Sequence, residues 1–263
     1  MTPTRRRPDL SDRDLLVMRF LADTALATTD QLERLAFPAS HGTQYTAARR
    51  ARRTLARLVD QGQLSRLDRR VGGVRSGSTS YVYQLATGGR RSLGLPRRGR
   101  TYEPGALFIS HTLAAADVHV ELLEAERRGD LVDLNVEHEP TRRFATPSGI
   151  ERLTPDLLVE VTTADGWELR WFVEIDRGTE HLPTVLRKCR TYERYWRSGR
   201  EADHHEVFPR VLWSVPDKRR ARAIETAIVE SRGLAGDLHR VATAEDTAAV
   251  ITNSNDNPEG GQP

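Results

Sequence analysis

The chain has 263 residues, enough to bury a sizeable core and, by ordinary domain size, to form two domains. Its single cysteine, Cys189, excludes an internal disulfide and any cysteine-based zinc cluster, while a formal net charge of only +3 conceals a strongly basic first hundred residues. No apolar run approaches the ~20 residues of a membrane span and the arginine-rich N-terminus has no apolar signal region, so a soluble cytoplasmic protein without a membrane partner is expected.

The charge asymmetry suggests one module that meets a polyanion and another with a different task. All but two of the 40 basic residues are arginines, and the exceptions, Lys188 and Lys218, stand out. Residues 1–10 form a basic, proline-containing arm expected to be disordered. Ser11 with Asp14 three residues on has the form of a capping box, and Leu15, Leu16, Phe20 and Leu21 follow at helical spacing, which predicts a helix over about 12–22. Thr28 or Thr29 opens a second helix through Gln31, Leu32, Leu35 and Ala36, stopped before Pro38. A polar turn around Gly42 leads into a third helix over about 43–61.

That third helix has an apolar side of Ala47, Ala51, Leu55, Leu58 and Val59, and it displays Arg49, Arg50, Arg52, Arg53 and Arg57 elsewhere on its circumference. Gln44, Tyr45 and Thr46 occupy its first turn. Strand-like runs at 64–70 and 80–85 flank a glycine-rich loop containing Arg75, and 88–93 suits a last short helix. In this order, residues 11–95 resemble the winged helix-turn-helix family. The resemblance implies that the third helix lies in the major groove of double-stranded DNA with Gln44 and Tyr45 towards the bases. It puts Arg49, Arg50, Arg52, Arg53 and Arg57 on phosphates, and Arg75 of the wing on the backbone or minor groove. By charge alone, the same arginines also suit a solvated face, and some winged helices bind protein.

Residues 96–106 have the proline, glycine and arginine content of an exposed linker, and a second domain is expected over 107–243. A helix over 111–128 ends at Gly129. Strands follow at 131–139, 157–162 and 169–176, then a helix at 182–197, a strand at 207–215, a helix at 218–232 and a strand at 238–242. The polar tail, 244–263, is expected to be disordered. Glu174 and Asp176 flank Ile175 and therefore share one strand face, while Asp156 follows Pro155 at the entrance of the preceding strand. A buried acid costs several kcal/mol unless it is paired or holds a metal, so three acids converging on a sheet face ask for a cation. Their oxygens suit Mg²⁺ or Mn²⁺, and no organic cofactor is called for. The plain alternative is a solvated edge strand with Asp156 in a turn. Lys188 and Tyr192, four residues apart, share one face of the following helix.

The order α-β-β-β-α-β resembles the PD-(D/E)XK nuclease-like fold, so the fold class is α+β or α/β with an N-terminal winged helix. Pro155-Asp156 matches the family's PD and Glu174 its acid on the next strand. The resemblance implies a catalytic set of Asp156, Glu174, Asp176, Lys188 and Tyr192, with the three acids as metal ligands. Asp176 stands where the family has a lysine. In several branches that lysine has moved to the helix that carries Lys188 here, and RecB-like members place a Gln and a Tyr there at similar spacing. Glu121, as a helix glutamate ligand, and His111, Glu180 and His181, as neighbours of the acids, are further candidates, each set against an ordinary structural or surface role. No Walker-type loop, Gly-x-Ser-x-Gly elbow or His-Glu-x-x-His helix is present, and His204-His205 is isolated from any strand that would suit a relaxase.

Taken together, residues 11–242 resemble the replication-relaxation family of actinobacterial plasmids and mobile elements. This implies a part in plasmid replication or mobilisation, either as a Mg-dependent DNA endonuclease or nickase or as a non-cleaving regulator of replication or transcription. In the second case the nuclease-like domain would serve dimerisation or partner binding. A homodimer on a palindromic site and replication or conjugation proteins are the implied partners.

Overall fold

The computed structural model describes residues 9–38, 44–72, 79–96, 104–201 and 208–253. Helices and mixed sheets make it an α+β protein, as expected. The chain divides by its contacts into residues 1–120 and 121–263, and the two units are taken in turn.

In the first unit α1 (Asp12–Thr24) opens on the predicted capping box. The Ser11 hydroxyl accepts from the Asp14 N–H at 3.3 Å, and the Asp14 carboxylate accepts from the Ser11 N–H at 3.0 Å. After the short β1 (Ala27–Thr28), Thr28 and Gln31 repeat the device at the start of α2 (Thr29–Ala36). The basic helix α3 (Gln44–Asp60) buries Ala47, Ala51, Leu55 and Leu58 and leaves Val59 half-buried. β2 (Leu64–Gly72) and β3 (Thr79–Leu85) pair antiparallel, and β1 joins the far side of β3.

α4 (Thr87–Ser92) follows, and its glycines have a packing reason. A Cβ on Gly88 would lie 2.2 Å from the Gly62 carbonyl oxygen and one on Gly89 2.3 Å from that of Gln63, so this helix rests directly on backbone. The first turns of α5 (Ala106–Arg128) close this unit. Ile109 and Leu113 pack with Leu26, Leu67 and Val82, and the buried Gln31 amide donates to the Leu113 carbonyl at 2.8 Å. α5 therefore starts five residues earlier than position 111, because Ile109 already has a core to enter. Among the described residues it is the one helix long and apolar enough, by length and composition, to cross a membrane. Ile109, Leu113, Ala116, Val118, Val120, Leu122 and Ala125 are buried, while Leu107 and Phe108 of its first turn are exposed.

The second unit is built on a five-stranded sheet of β4 (Leu131–His138), β7 (Leu157–Thr163), β8 (Glu168–Ile175), β9 (Arg210–Val215) and β10 (His239–Thr243). Its order is β10-β9-β8-β7-β4, antiparallel through β4, β7 and β8 and parallel through β8, β9 and β10. The parallel pairs need crossovers, which α6 (Leu182–Arg197) and α7 (Lys218–Glu230) supply. Both helices cover one face, where Phe172, Val211, Trp213, Val215, Tyr192, Tyr195, Ile224 and Ile228 form the core.

A hairpin and a helix of this unit depart from the sequence expectation. β5 (Arg142–Thr146) and β6 (Gly149–Leu153) form a separate hairpin that buries only Phe144 and Leu153, too little apolar alternation to mark it in the sequence. α8 (Thr247–Thr252) lies where a disordered tail was expected. It forms because Ile251 and Thr247 find complete burial on the sheet's other face, where the Thr247 hydroxyl donates to that of Ser214 at 2.8 Å.

Asp14 ties the first unit together, since its buried carboxylate caps α1 and also meets Arg57 of α3 at 2.6 Å. Asp14→Ala should lower stability by about 1–2 kcal/mol, because it removes the N3 carboxylate of the capping box together with the partner of Arg57. Urea denaturation checks it, and an unchanged midpoint would refute it.

Candidate functional site

Two neighbouring strands and the crossover helix position the central cluster. Leu157 is paired with Val173, and the Asp156 N–H donates to the Val173 carbonyl at 3.1 Å, so the same antiparallel register sets Asp156 opposite Glu174. Side chains so placed share a sheet face with Cβ atoms about 5 Å apart, and like charges there repel. The Asp156 carboxylate is steadied by the Ile175 N–H, which donates to it at 2.7 Å. Glu174 is 2% exposed, yet it has two strong partners: Lys188 donates to one carboxylate oxygen and the Tyr192 hydroxyl to the other. Both donors come from one face of α6, as their spacing predicts.

Burial pushes the Glu174 carboxyl up to about 7, with Lys188 pulling it down and Asp156 adding to the rise. Burial by itself would lower the Lys188 amine, but the charges of Glu174 and Asp156 outweigh it and hold the amine above its usual value. Burial and the adjacent Glu174 push the Tyr192 phenol well above its usual range, so it serves as a hydrogen-bond donor. The same two causes carry the buried Cys189 thiol up to about 12, an inert thiol.

The expectation of three converging acids is corrected. Asp176 lies one residue past the end of β8, and Arg220 of α7 takes its carboxylate, with Nε at 2.7 Å and a terminal nitrogen at 2.6 Å. The Gly178 N–H donates to its other oxygen, in a turn that Gly178 closes at φ +75°. Arg220 also donates to the Glu180 carbonyl at 2.7 Å and so braces the loop between β8 and α6. Among the described residues no group of three or more His, Cys, Asp or Glu side chains is placed to hold a metal ion. Asp156 and Glu174 nevertheless fit Mg²⁺ in type and number, since that ion commonly takes one or two carboxylates and fills its remaining positions with water and phosphate oxygens.

The other candidates fall elsewhere. Glu121 lines a groove of about 410 Å³ with Glu124, Arg128 and Asp130 and with residues of α8, on the sheet face opposite Glu174. His111 belongs to the first unit, whereas the acids belong to the second. His181 is the residue before α6 and caps it without a side-chain bond, and the Glu180 side chain is exposed. His204 and His205 lie outside the described residues.

Sequence reasoning missed Arg220, because nothing in Lys218-Arg219-Arg220 marks which cation turns inward. It also missed a further buried carboxylate on the same side of the sheet, Glu201, which accepts from the Tyr195 hydroxyl, from Arg142 at 3.2 Å and from Arg170 at 3.4 Å. Tyr195 is three residues from Tyr192, a repeat that could have been read as a second inward phenol. The imidazole of His239 is buried edge-on to Tyr192, with neither nitrogen bonded among the described residues, and burial holds its pKa down at about 4.

In the first unit Tyr45 is 73% exposed, and Arg49, Arg50, Arg52 and Arg53 are exposed on α3. Arg57 is not available in the same way, because the buried Asp14 holds it. Arg75 and the side chain of Gln44 lie outside the described residues.

A family model described as replication-relaxation matches residues 18–211, a span that holds Asp156, Glu174, Asp176, Lys188 and Tyr192 and stops before Arg220. No curated protein and no solved structure matches the chain.

Two groups give opposed pH dependence. Glu174 has a raised folded pKa, so its contribution to stability is full below about 4.5 and is lost as pH rises through about 7. His239 has a lowered one, so its contribution is present above about 6.5 and is lost as pH falls through about 4. Relative to wild type, Glu174→Gln should therefore gain stability on going from pH 5 to pH 8, and His239→Phe should lose less than wild type does on going from pH 7 to pH 4. Denaturation curves at the four pH values test both, and parallel pH profiles for wild type and variants would contradict them.

Proposed function

We propose, for a chain that belongs to the replication-relaxation family, that its part in replication is played on plasmid DNA by a winged-helix first unit and a nuclease-like second unit. The family description ties the chain to replication. The reading of the first unit is supported by the order of α1, α2, α3 and the β2–β3 hairpin, with exposed arginines on α3. Tyr45 of the first turn of α3 and Arg49, Arg50, Arg52 and Arg53 would face the duplex, the tyrosine towards base edges and the arginines on phosphates. A homodimer would place two such helices on a palindromic site.

The observation that carries the nuclease reading is the cross-strand pair Asp156 and Glu174 beneath Lys188 and Tyr192. A surface strand has no need of a buried carboxylate with two dedicated donors, whereas phosphodiester hydrolysis uses carboxylates, a cation and a proton carrier together. A bound Mg²⁺ or Mn²⁺ would polarise a phosphate oxygen and acidify a water molecule. Asp156 and Glu174 would hold it, and the Lys188 amine would stabilise charge on the phosphate oxygens. Tyr192 would keep Glu174 oriented. The product would be a nick in one DNA strand or, with both strands cut, a double-strand break.

A second reading has its own observation. Both oxygens of Glu174 are taken by Lys188 and Tyr192, and Asp176 is taken by Arg220, a set of pairs complete without a metal. On that basis the chain would bind DNA as a non-cleaving regulator of replication or transcription.

Supercoiled plasmid incubated with the purified chain and Mg²⁺ or Mn²⁺ separates the two. The nuclease reading expects relaxed or linear product, reduced about 10²–10³-fold in Asp156→Asn, Glu174→Gln and Lys188→Met, with DNA retention in gels unchanged. Retention without product under any divalent metal would establish the regulator, and no retention at all would remove both readings.

A further inference from the structure

We propose that the outer surface of α6 and α7 is a second DNA contact, a phosphate-binding track that runs past the Glu174–Lys188 cluster; it rests on the DNA reading above. Arg187, Arg190, Arg194 and Arg197 recur at spacings of three, four and three, so they form one stripe along the exposed side of α6. At 1.5 Å per residue the stripe is about 15 Å long. α7 lies alongside in the same direction. Arg220 of its first turn reaches the loop before α6, while Arg190 donates to the Ser231 hydroxyl and Arg197 to the Gly233 carbonyl beyond its far end, each at 3.2 Å. Lys218, Arg219 and Arg222 are exposed at the start of α7, the end from which Arg220 reaches the loop before α6.

Charge pairing distinguishes this surface from an ordinary solvated one. Arg194 is matched by Glu151 at 2.8 Å and Arg197 by the buried Glu193 at 2.9 Å. Arg187, Arg190, Lys218, Arg219 and Arg222 have no carboxylate partner among the described residues, although five unmatched cations on two adjacent helices repel one another. On the opposite face Glu121, Glu124, Asp130 and Glu245 line the groove beside α8, and on α7 the exposed acids Glu225 and Glu230 lie in its second half, past the cations of its first turns. The unmatched cations of α6 and of the start of α7 therefore draw a polyanion to this surface. The cluster opens on the attractive side: Lys188 follows Arg187, turns in to Glu174 and keeps 33% of its side chain in solvent. Guanidinium groups suit the oxygens of a phosphodiester chain.

The test uses the full chain and a 30-base-pair duplex of arbitrary sequence, with affinity measured by fluorescence anisotropy over a range of salt. In a variant combining Arg187→Glu, Arg190→Glu, Arg219→Glu and Arg222→Glu, the slope of log affinity against log salt should fall by about 3–4, as for four lost phosphate contacts. A control with Arg127→Glu and Arg128→Glu, on the acidic side, should keep the wild-type slope. If the reversal variant does not fold, the same four positions changed to Gln carry the test. An unchanged slope in a chain that still binds the duplex would overturn the track while leaving the first unit's reading intact. Failure of the wild type to bind any duplex would instead remove the DNA reading itself. Wild-type capture by phosphatidylserine vesicles, with no duplex bound, would reassign the surface to a membrane and also refute the proposal.

Discussion

The second unit depends on one buried carboxylate and the two donors that keep it there. Glu174 has almost no contact with water and faces Asp156 across the strand pair, an arrangement that pairing of β7 and β8 alone would penalise. Lys188 and Tyr192 offset that penalty from a single helix, which fixes the rotation of α6 about its own axis as well as its distance from the sheet. The rest of the unit follows from that placement: α6 must cross over from β8 to β9, β9 must then be parallel to β8, and α7 repeats the crossover to β10.

The same carboxylate makes the cluster chemically distinctive. A group whose pKa is held at about 7 by burial, with a cation and a phenol on its two oxygens, can give or take a proton near neutral pH. Asp176, two residues away, is an anchor: Arg220 meets one of its oxygens and a turn N–H donates to the other. Two acids from one short stretch of strand thus divide the work. Glu174 keeps a titratable position and Asp176 anchors the loop that leads into α6.

How much of this was legible depended on whether a residue's partner was local. Ser11 with Asp14, Thr28 with Gln31, and Lys188 with Tyr192 are three or four residues apart, so helical geometry alone states what each pair does. The strands at 131–138, 157–163 and 168–175 were plain because apolar runs mark them. Asp176 was misassigned because its partner lies 44 residues downstream, and alternation gives the face of a strand but not what comes to cover it. Arg57 was read as a phosphate ligand for the same reason, with Asp14 43 residues away. α8 and the β5–β6 hairpin were passed over because each commits only two side chains to a core.

The tyrosines of α6 bear on how its sequence can vary. Tyr192 is fastened to Glu174 and Tyr195, one turn on, to Glu201, so the inner side of the helix is bolted to the sheet at two successive points. A helix held in this way cannot roll when its outer residues change. Its outer side is therefore free to drift, and relatives could retune which polymers they grip, or how tightly, without disturbing the buried machinery beneath.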